Sequence, residues 1–199
     1  MIIPSIVLDI MKWKAKMAFD KQPTLEGELI TLRPISEDDF DDLFKAASDP
    51  KIWEQHPAWD RYKKEVFEQV FEDALETGRA FVIIDSATNK IIGSSRYYGY
   101  NQEEDEIEIG WSFLSRAYWG GRYNQETKKL LLAHAFKFVK KVVFLVEPEN
   151  YRSCKAMEKI GGKTVGIRKN ALGVESLIYQ ITNTQFVQFQ SNNSNKISK

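Results

Sequence analysis

The chain has 199 residues, 43% of them hydrophobic and 13% aromatic, enough to bury one sizeable core, and no length that demands a second domain. Its 28 basic and 28 acidic side chains cancel, which argues against a general attraction to nucleic acid or to an anionic membrane, so a polyanion has to be met locally. Cys154 is the only cysteine, which excludes an internal disulfide and a multi-cysteine metal site and fits a reducing, cytoplasmic compartment. His56 and His134 lie far apart without spaced carboxylates, so no metal is expected.

The opening MIIPSIVLDIM is apolar but shorter than the roughly 18 residues that span a bilayer, and it lacks the basic start and cleavage site of an export signal. No export is expected. Residues 1–24 read as an amino-terminal extension packed on the domain, or as sequence upstream of a later start at Met11 or Met17.

Glu28 to Pro34 alternates as a strand closed by proline. Ser36 then caps a helix carrying Phe40, Leu43, Phe44 and Ala47 at helical spacing. After Asp49-Pro50 and an aromatic loop (Trp53, His56, Trp59), Arg61 to Thr77 is a second helix with Tyr62, Val66, Val70 and Ala74 on one face, ended by Gly78. Phe81–Ile84 and Ile91–Tyr100 flank the polar DSATNK turn as a hairpin. Asp105 to Leu114 follows as a strand, with Glu106, Glu108, Gly110 and Ser112 on one face and Ile107, Ile109, Trp111 and Phe113 on the other.

Trp119 to Val139 is the stretch on which the chain turns. Gly120-Gly121 leads through Tyr123 and Asn124 into an amphipathic helix whose first N–H groups have no internal acceptor, which makes an anion site. Asn124 is the expected N-cap, with Glu126 in the first turn and Lys137, Lys140 and Lys141 at the far end. Val142–Val146 is a buried strand, Asn150–Ile160 a helix ended by Gly161-Gly162, and Lys163–Arg168 with Val174–Thr182 a last hairpin. Residues 25–190 form the domain and 191–199 a polar, disordered tail. The order β-α-α-β-β-β-α-β-α-β-β predicts a single α/β (α+β) domain, a mixed twisted sheet of about seven strands with helices on both faces.

Order and motifs together resemble the GNAT superfamily of acyl-CoA-dependent N-acetyltransferases. The branch most similar acetylates the N-terminal alanine or serine of ribosomal proteins. Four pieces carry the resemblance across Leu25–Thr182: LEGELITLRPISEDD, EIEIGWSF, YWGGRYNQETKKLLLAHAF and ENYRSCKAMEKIGG. It implies acetyl-CoA as cosubstrate, a primary amine as acceptor, direct transfer in a ternary complex, and neither metal, nucleic-acid nor membrane partner.

The superfamily's phosphate loop, Q/R-x-x-G-x-G/A, falls here on Ala117, Tyr118, Trp119, Gly120, Gly121 and Arg122, with Ala117 and Arg122 departing from the pattern. The resemblance assigns Trp119, Gly120, Gly121, Arg122, Tyr123 and Asn124 to the coenzyme's pyrophosphate. It gives its pantetheine arm the main chain of Phe113, Leu114 and Ser115, at a strand that splays from the next. Glu108 matches the glutamate before Ile-Gly and is the implied general base. Its alternative is membership of the run Glu103, Glu104, Asp105, Glu106, Glu108 as a solvated hairpin end, or an acidic entrance attracting cationic acceptors.

Asn150 and Ser153 match an N-x-x-S near the coenzyme, though Asn150 is equally a plain N-cap. The tyrosine that many members use as the thiolate's acid is absent from Ala156–Gly161, leaving Ser153 or water to substitute. Cys154 reads as core, and Trp53–Trp59 lies where the family shapes its acceptor pocket. Lys128, Lys129, Arg152 and Lys155 are placed to approach coenzyme phosphates. Phe186–Phe189 and the apolar amino terminus leave a homodimer open, and a non-catalytic acyl-CoA-binding sensor or interaction module is the alternative to an enzyme.

Overall fold

The computed structural model describes residues 19–197, with side chains as far as residue 191; the amino-terminal extension before Phe19 lies outside the described residues. Eight strands make one sheet in the order β1-β2-β3-β4-β5-β6-β8-β7, where β1 is Leu25–Glu26, β2 Ile30–Pro34, β3 Ala80–Asp85, β4 Lys90–Asn101, β5 Glu106–Leu114, β6 Lys141–Val146, β7 Lys163–Lys169 and β8 Glu175–Thr182. Among the described residues five helices accompany them: α1 Phe40–Ala47, α2 Lys64–Thr77, α3 Arg122–Ala135, α4 Tyr151–Lys159 and α5 Asn183–Ile197. This is the expected mixed α/β domain and element order, with two additions. Strand β1, two residues turned back on β2 at Gly27, is too short to show alternation in the sequence. Helix α5 carries the backbone helically to Ile197, where the sequence reading has a tail from Ser191.

Alternate residues of β3 divide the core. Phe81 and Ile83 join one cluster with Ile107, Ile109, Leu131, Leu132, Cys154 and Met157, under α3 and α4. Ala80 and Val82 join the other with Leu43, Trp53, Phe67 and Phe71, under α1 and α2. Helix α2 turns Phe67, Phe71 and Ala74 inward rather than the Val66–Val70 stripe, because two phenyl rings bury more apolar area than two isopropyl groups. Gly78 ends that helix in the left-handed region at φ 57°, as expected. Phe186 is buried against Phe136 at 5.4 Å between ring centroids, so its own chain covers it.

Strands β5 and β6, the only parallel pair among the described residues, are joined through α3 and meet over three residue pairs: Glu106 with Lys141, Ile107 with Val142 and Glu108 with Val143. Beyond Glu108 the strands part. The cause lies in β5: Trp111 takes φ 50°, and the register against β4 slips by one residue between Gly110 and Phe113. A bulge of this kind bends and twists its strand. It also reverses the alternation, so Ile107 and Ile109 lie in the first core while Phe113 packs against the second. Trp111 is not core; it lies against Tyr98 and under the Arg96 guanidinium.

Helix α3 is tied to the sheet edge by Glu126, whose carboxylate accepts from the backbone N–H groups of Glu28, Leu29 and Ile30 at 2.7 to 3.0 Å. It is not a first-turn charge, since α3 begins at Arg122. Three charge-assisted bonds replace the missing continuation of β2. Substituting Glu126→Ala is expected to lower stability by roughly 2–4 kcal/mol, measured as a fall in urea midpoint.

Candidate functional site

The gap between β5 and β6 opens into a cleft of about 440 Å³. Of the residues assigned from sequence, it brings together Glu108, Phe113, Leu114, Trp119, Gly120, Gly121, Asn124, Asn150 and Ser153. Ser115, Arg122 and Tyr123 do not line it. Ser115 donates its N–H to Ile92 on β4, and the Phe113 carbonyl presses so closely on Gly93 that a Cβ there would lie 2.1 Å from it. Both residues thus turn their main chain to β4, and the alternation of a strand leaves Leu114 as the one of the three facing the gap. Its carbonyl already accepts from the Trp119 indole at 2.8 Å.

Gly120 and Gly121 hold φ values of 102° and 136°, with open space where a side chain would stand. Gly121, not Asn124, is the N-cap, because Gln125 N–H already closes on the Gly121 carbonyl at 2.9 Å. The N–H groups of Arg122, Tyr123 and Asn124 therefore have no helical acceptor. Arg122 is exposed in the first turn. The Tyr123 side chain goes elsewhere: with Tyr118 it donates to Asp85, at 3.4 and 3.3 Å, and the two rings meet edge to face. Those bonds clamp the loop to β3. The Thr88 hydroxyl, and after it the Ala87 N–H and the two tyrosines, hold the Asp85 carboxyl below its ordinary range.

Across the gap Asn150 caps α4 by accepting from Ser153 N–H at 3.2 Å, as a plain N-cap does. Arg152 also lines the cleft, its guanidinium donating to the carbonyls of Lys51 and Ile52 and stacking on Trp119 at 4.2 Å. Cys154 is buried in the first core, as expected of a core thiol.

The acidic run resolves residue by residue. Glu104 pairs with Lys141 at 3.2 Å, Asp105 with Lys140 at 2.9 Å, and the buried Glu106 with Arg168 at 3.1 Å. It is not an open acidic mouth. Glu108 differs: among the described residues its carboxyl makes no hydrogen bond or ion pair, and it lines the cleft where strand pairing ends. Burial pushes its pKa up to about 7, Arg168 opposing and Glu106 and Glu147 reinforcing.

Lys128 departs furthest from its expected place. It is 2% exposed, and its ammonium group donates to Ser112, whose hydroxyl meets that of Ser95 at 2.7 Å. Burial alone draws its pKa down to about 7. The helical period carries a sign of this, since Lys128 stands three and four residues before the buried Leu131 and Leu132.

A further wall of the cleft comes from the segment before α2. Trp53 is anchored by its indole N–H to the Ala47 carbonyl at 2.8 Å, and His56 and Arg61 line the cleft beside it. Burial and the Arg61 charge lower the His56 pKa to about 4, so the ring is neutral at pH 7. Arg61 has no sequence signal, because WDRYKKE reads as a solvated helix start.

Residues 30–163 match the family model described as the acetyltransferase (GNAT) domain. The chain belongs to the GNAT acetyltransferase family. A curated relative, the uncharacterized N-acetyltransferase p20 of Bacillus licheniformis, is 29% identical over 154 residues, spanning 74% of this chain and 86% of that protein. A GCN5-related N-acetyltransferase from Brucella melitensis has the same fold with TM-score 0.73 at 20% identity, over 87% of this chain and 86% of that one. RimJ of Mycobacterium smegmatis, solved with CoA-disulfide, gives TM-score 0.62 at 19% identity over 84% and 90% of the two chains. The ribosomal-protein-S5-alanine acetyltransferase of Vibrio fischeri gives 0.62 at 18% identity over 81% and 97%. No helix among the described residues of this acetyltransferase is long and apolar enough to cross a membrane.

A buried lysine whose folded pKa lies below its unfolded value of 10.5 destabilises the fold most where both states are protonated, below about pH 7. As pH rises from about 7 toward 10.5 the folded state is already neutral while the unfolded chain still binds the proton, so stability climbs. Lys128→Met is therefore expected to raise the melting temperature at pH 6 by roughly several degrees, with the gain shrinking toward pH 10, read by differential scanning fluorimetry across pH.

Proposed function

We propose that this acetyltransferase moves an acetyl group from acetyl-CoA to a primary amine, of a protein N-terminus or a small molecule, by direct transfer in a ternary complex in the cytoplasm. The observation that carries the reading is Glu108: an unpaired carboxyl of pKa about 7, at the point where β5 and β6 part, in the cleft that ends at the free N–H groups of α3. Acetyl-CoA supplies the activated acetyl thioester. The fit rests on main-chain features. The N–H groups of Arg122, Tyr123 and Asn124, with the open Gly120-Gly121 loop, suit a pyrophosphate, and Arg122 at the exposed first turn suits its charge. The edge of β5 beyond Glu108, no longer paired with β6, suits an extended amide-bearing arm.

Glu108 takes the proton that an amine carries at neutral pH, directly or through water, so that the nitrogen arrives with a free lone pair. A carboxyl tuned to about 7 can both accept and release that proton near pH 7. Ser153, fixed by the Asn150 cap beside the cleft, is the candidate to return a proton to the departing sulfur. The ribosomal-protein acceptors of the structural relatives are one instance of an amine acceptor and carry over no further than that.

Acetyl-CoA at about 100 times its dissociation constant is expected to stabilise the protein by ~2.7 kcal/mol, seen as a melting shift that desulfo-coenzyme A reproduces and ATP does not. No shift at millimolar acetyl-CoA would remove the coenzyme site. A shift without turnover of any amine would leave a non-catalytic acyl-CoA-binding sensor or interaction module. For an active protein, kcat/KM is expected to rise with pH through an apparent pKa of about 7 as Glu108 deprotonates. In Glu108→Gln that limb should vanish and activity fall by roughly a hundredfold or more, whereas an unchanged pH profile would sink the assignment.

A further inference from the structure

Arg61 is 7% exposed, and its guanidinium forms no hydrogen bond or ion pair with any described residue. Its Nε is buried without a partner. A charge held in this way is expensive: a guanidinium removed from water wants an anion and filled donors. Burial, with the neighbouring Arg96 charge, lowers its pKa to about 10, against a weaker opposing pull from Glu147, Asp60 and Asp73. Those three carboxylates do not compensate it at contact. None comes within ion-pair distance, Asp73 is bonded to Arg96, and Glu147 accepts from the Asn170 amide at 2.6 Å.

The position of this unpaired cation is specific. Arg61 lines the cleft with Glu108 and His56, on the wall built by α1, α2 and the loop between them, apart from the Gly120–Asn124 loop proposed for the pyrophosphate. Trp53 supports the guanidinium, whose central carbon sits 5.6 Å from the ring centroid. Beside it, His56 Nδ1 accepts from Ala58 N–H at 3.0 Å, so the neutral ring carries its proton on Nε2 and has a donor left to offer. A planar fork of donors, braced on an aromatic ring next to a neutral imidazole N–H, matches the two oxygens of a carboxylate.

We propose that Arg61 is an acceptor-binding residue that pairs with a carboxylate, and that the preferred acceptors are amines which also carry a free carboxylate group. This rests on the acetyltransferase reading above, with Glu108 receiving the amine and Arg61 the other end of the same molecule. The carboxylate's single charge neutralises Arg61 and fills its vacant donors, so a matched acceptor gains an interaction that its neutral analogue leaves unmade. A site with an obligatory buried charge rejects the analogue lacking the partner more strongly than an apolar pocket rejects a missing methylene.

The test uses the full-length protein saturated with acetyl-CoA, after a coenzyme melting shift has been established. Acceptors are glycine, β-alanine, 4-aminobutyrate and 6-aminohexanoate, each beside its carboxamide and its simple alkylamine, with thiol release as the readout. The corresponding N-acetyl acids and N-acetyl amides are titrated against the coenzyme A complex. At least one chain length is expected to favour the carboxylate by roughly tenfold or more in kcat/KM or in affinity. Arg61→Gln should erase that preference through KM while the coenzyme shift persists, and Arg61→Lys, which keeps the charge but not the fork, should retain part of it. Equal handling of acids and amides at every chain length, or a preference that survives in Arg61→Gln, overturns the carboxylate subsite and leaves the acetyltransferase reading standing. A missing coenzyme shift overturns that reading first, and this one with it.

Discussion

The structure depends on the parting of two strands. Strands β5 and β6 run parallel and would, if paired throughout, close the sheet into a continuous surface with no place for a ligand. The bulge at Trp111 prevents this by twisting β5 away once three pairs have formed. A non-glycine residue at φ 50° is costly, and the surroundings hold it there. The indole lies under the Arg96 guanidinium and against Tyr98, while Gly93 on β4 leaves room for the displaced Phe113 carbonyl. Unpaired main chain, which elsewhere marks a sheet edge, here faces the interior of a cleft. The same divergence gives Glu108 its setting: it is the last residue of β5 to pair with β6, opposite Val143 there and Tyr98 on β4, and the cleft lies beyond it.

The electrostatics of the cleft follow from that opening. Glu108, Lys128 and Arg61 lie in or against it without a formal counter-charge among the described residues. Each is displaced toward its neutral form by burial first. Structural ion pairs are handled differently in this molecule. Arg33 and Asp39, Arg96 and Asp73, and Glu106 and Arg168 are matched at 2.5 to 3.1 Å. Leaving Glu108, Lys128 and Arg61 without a counter-charge along one surface places electrostatic cost where a ligand can relieve it.

Much of this was legible in the chain. The element order, the helix end at Gly78, the cap at Asn150, the crossover through α3 and the Gly120-Gly121 turn all follow from local rules acting over a few residues. What escaped depended on contacts far apart in sequence. The alternation of β5 predicts one face for Ile107 through Phe113, and nothing in EIEIGWSFL marks the extra residue; the bulge exists because β4 and β5 must twist past each other. Glu126 sits where a first-turn carboxylate would help the helix, yet its partners are the N–H groups of Glu28 to Ile30, roughly a hundred residues earlier. Tyr123 follows the glycines closely enough to be taken for a ligand contact, but Asp85 on β3 claims it. Arg61 was invisible because a basic residue before a helix is ordinarily solvated, and only Trp53 and the packing of α2 bury it.

The two cores explain how one cleft can combine a fixed function with a variable one. The donor-side features proposed here, namely the edge of β5 beyond Glu108, the glycine turn and the start of α3, rest on the first core, which the α3 and α4 helices seal. The loop that carries His56 and Arg61 rests on the second, under α1 and α2. The bulge is the switch between them, since it turns Phe113 from one to the other within a single strand. Changes in the 52–61 loop or in α2 therefore repack around Trp53, Phe67 and Phe113 without disturbing Leu131, Leu132 or Ile109. Main-chain recognition of an invariant donor needs few side chains and tolerates departures such as Ala117 and Arg122. Under the proposed reading, acceptor recognition falls to side chains on a separately packed wall, where a single buried arginine can redefine what the cleft accepts.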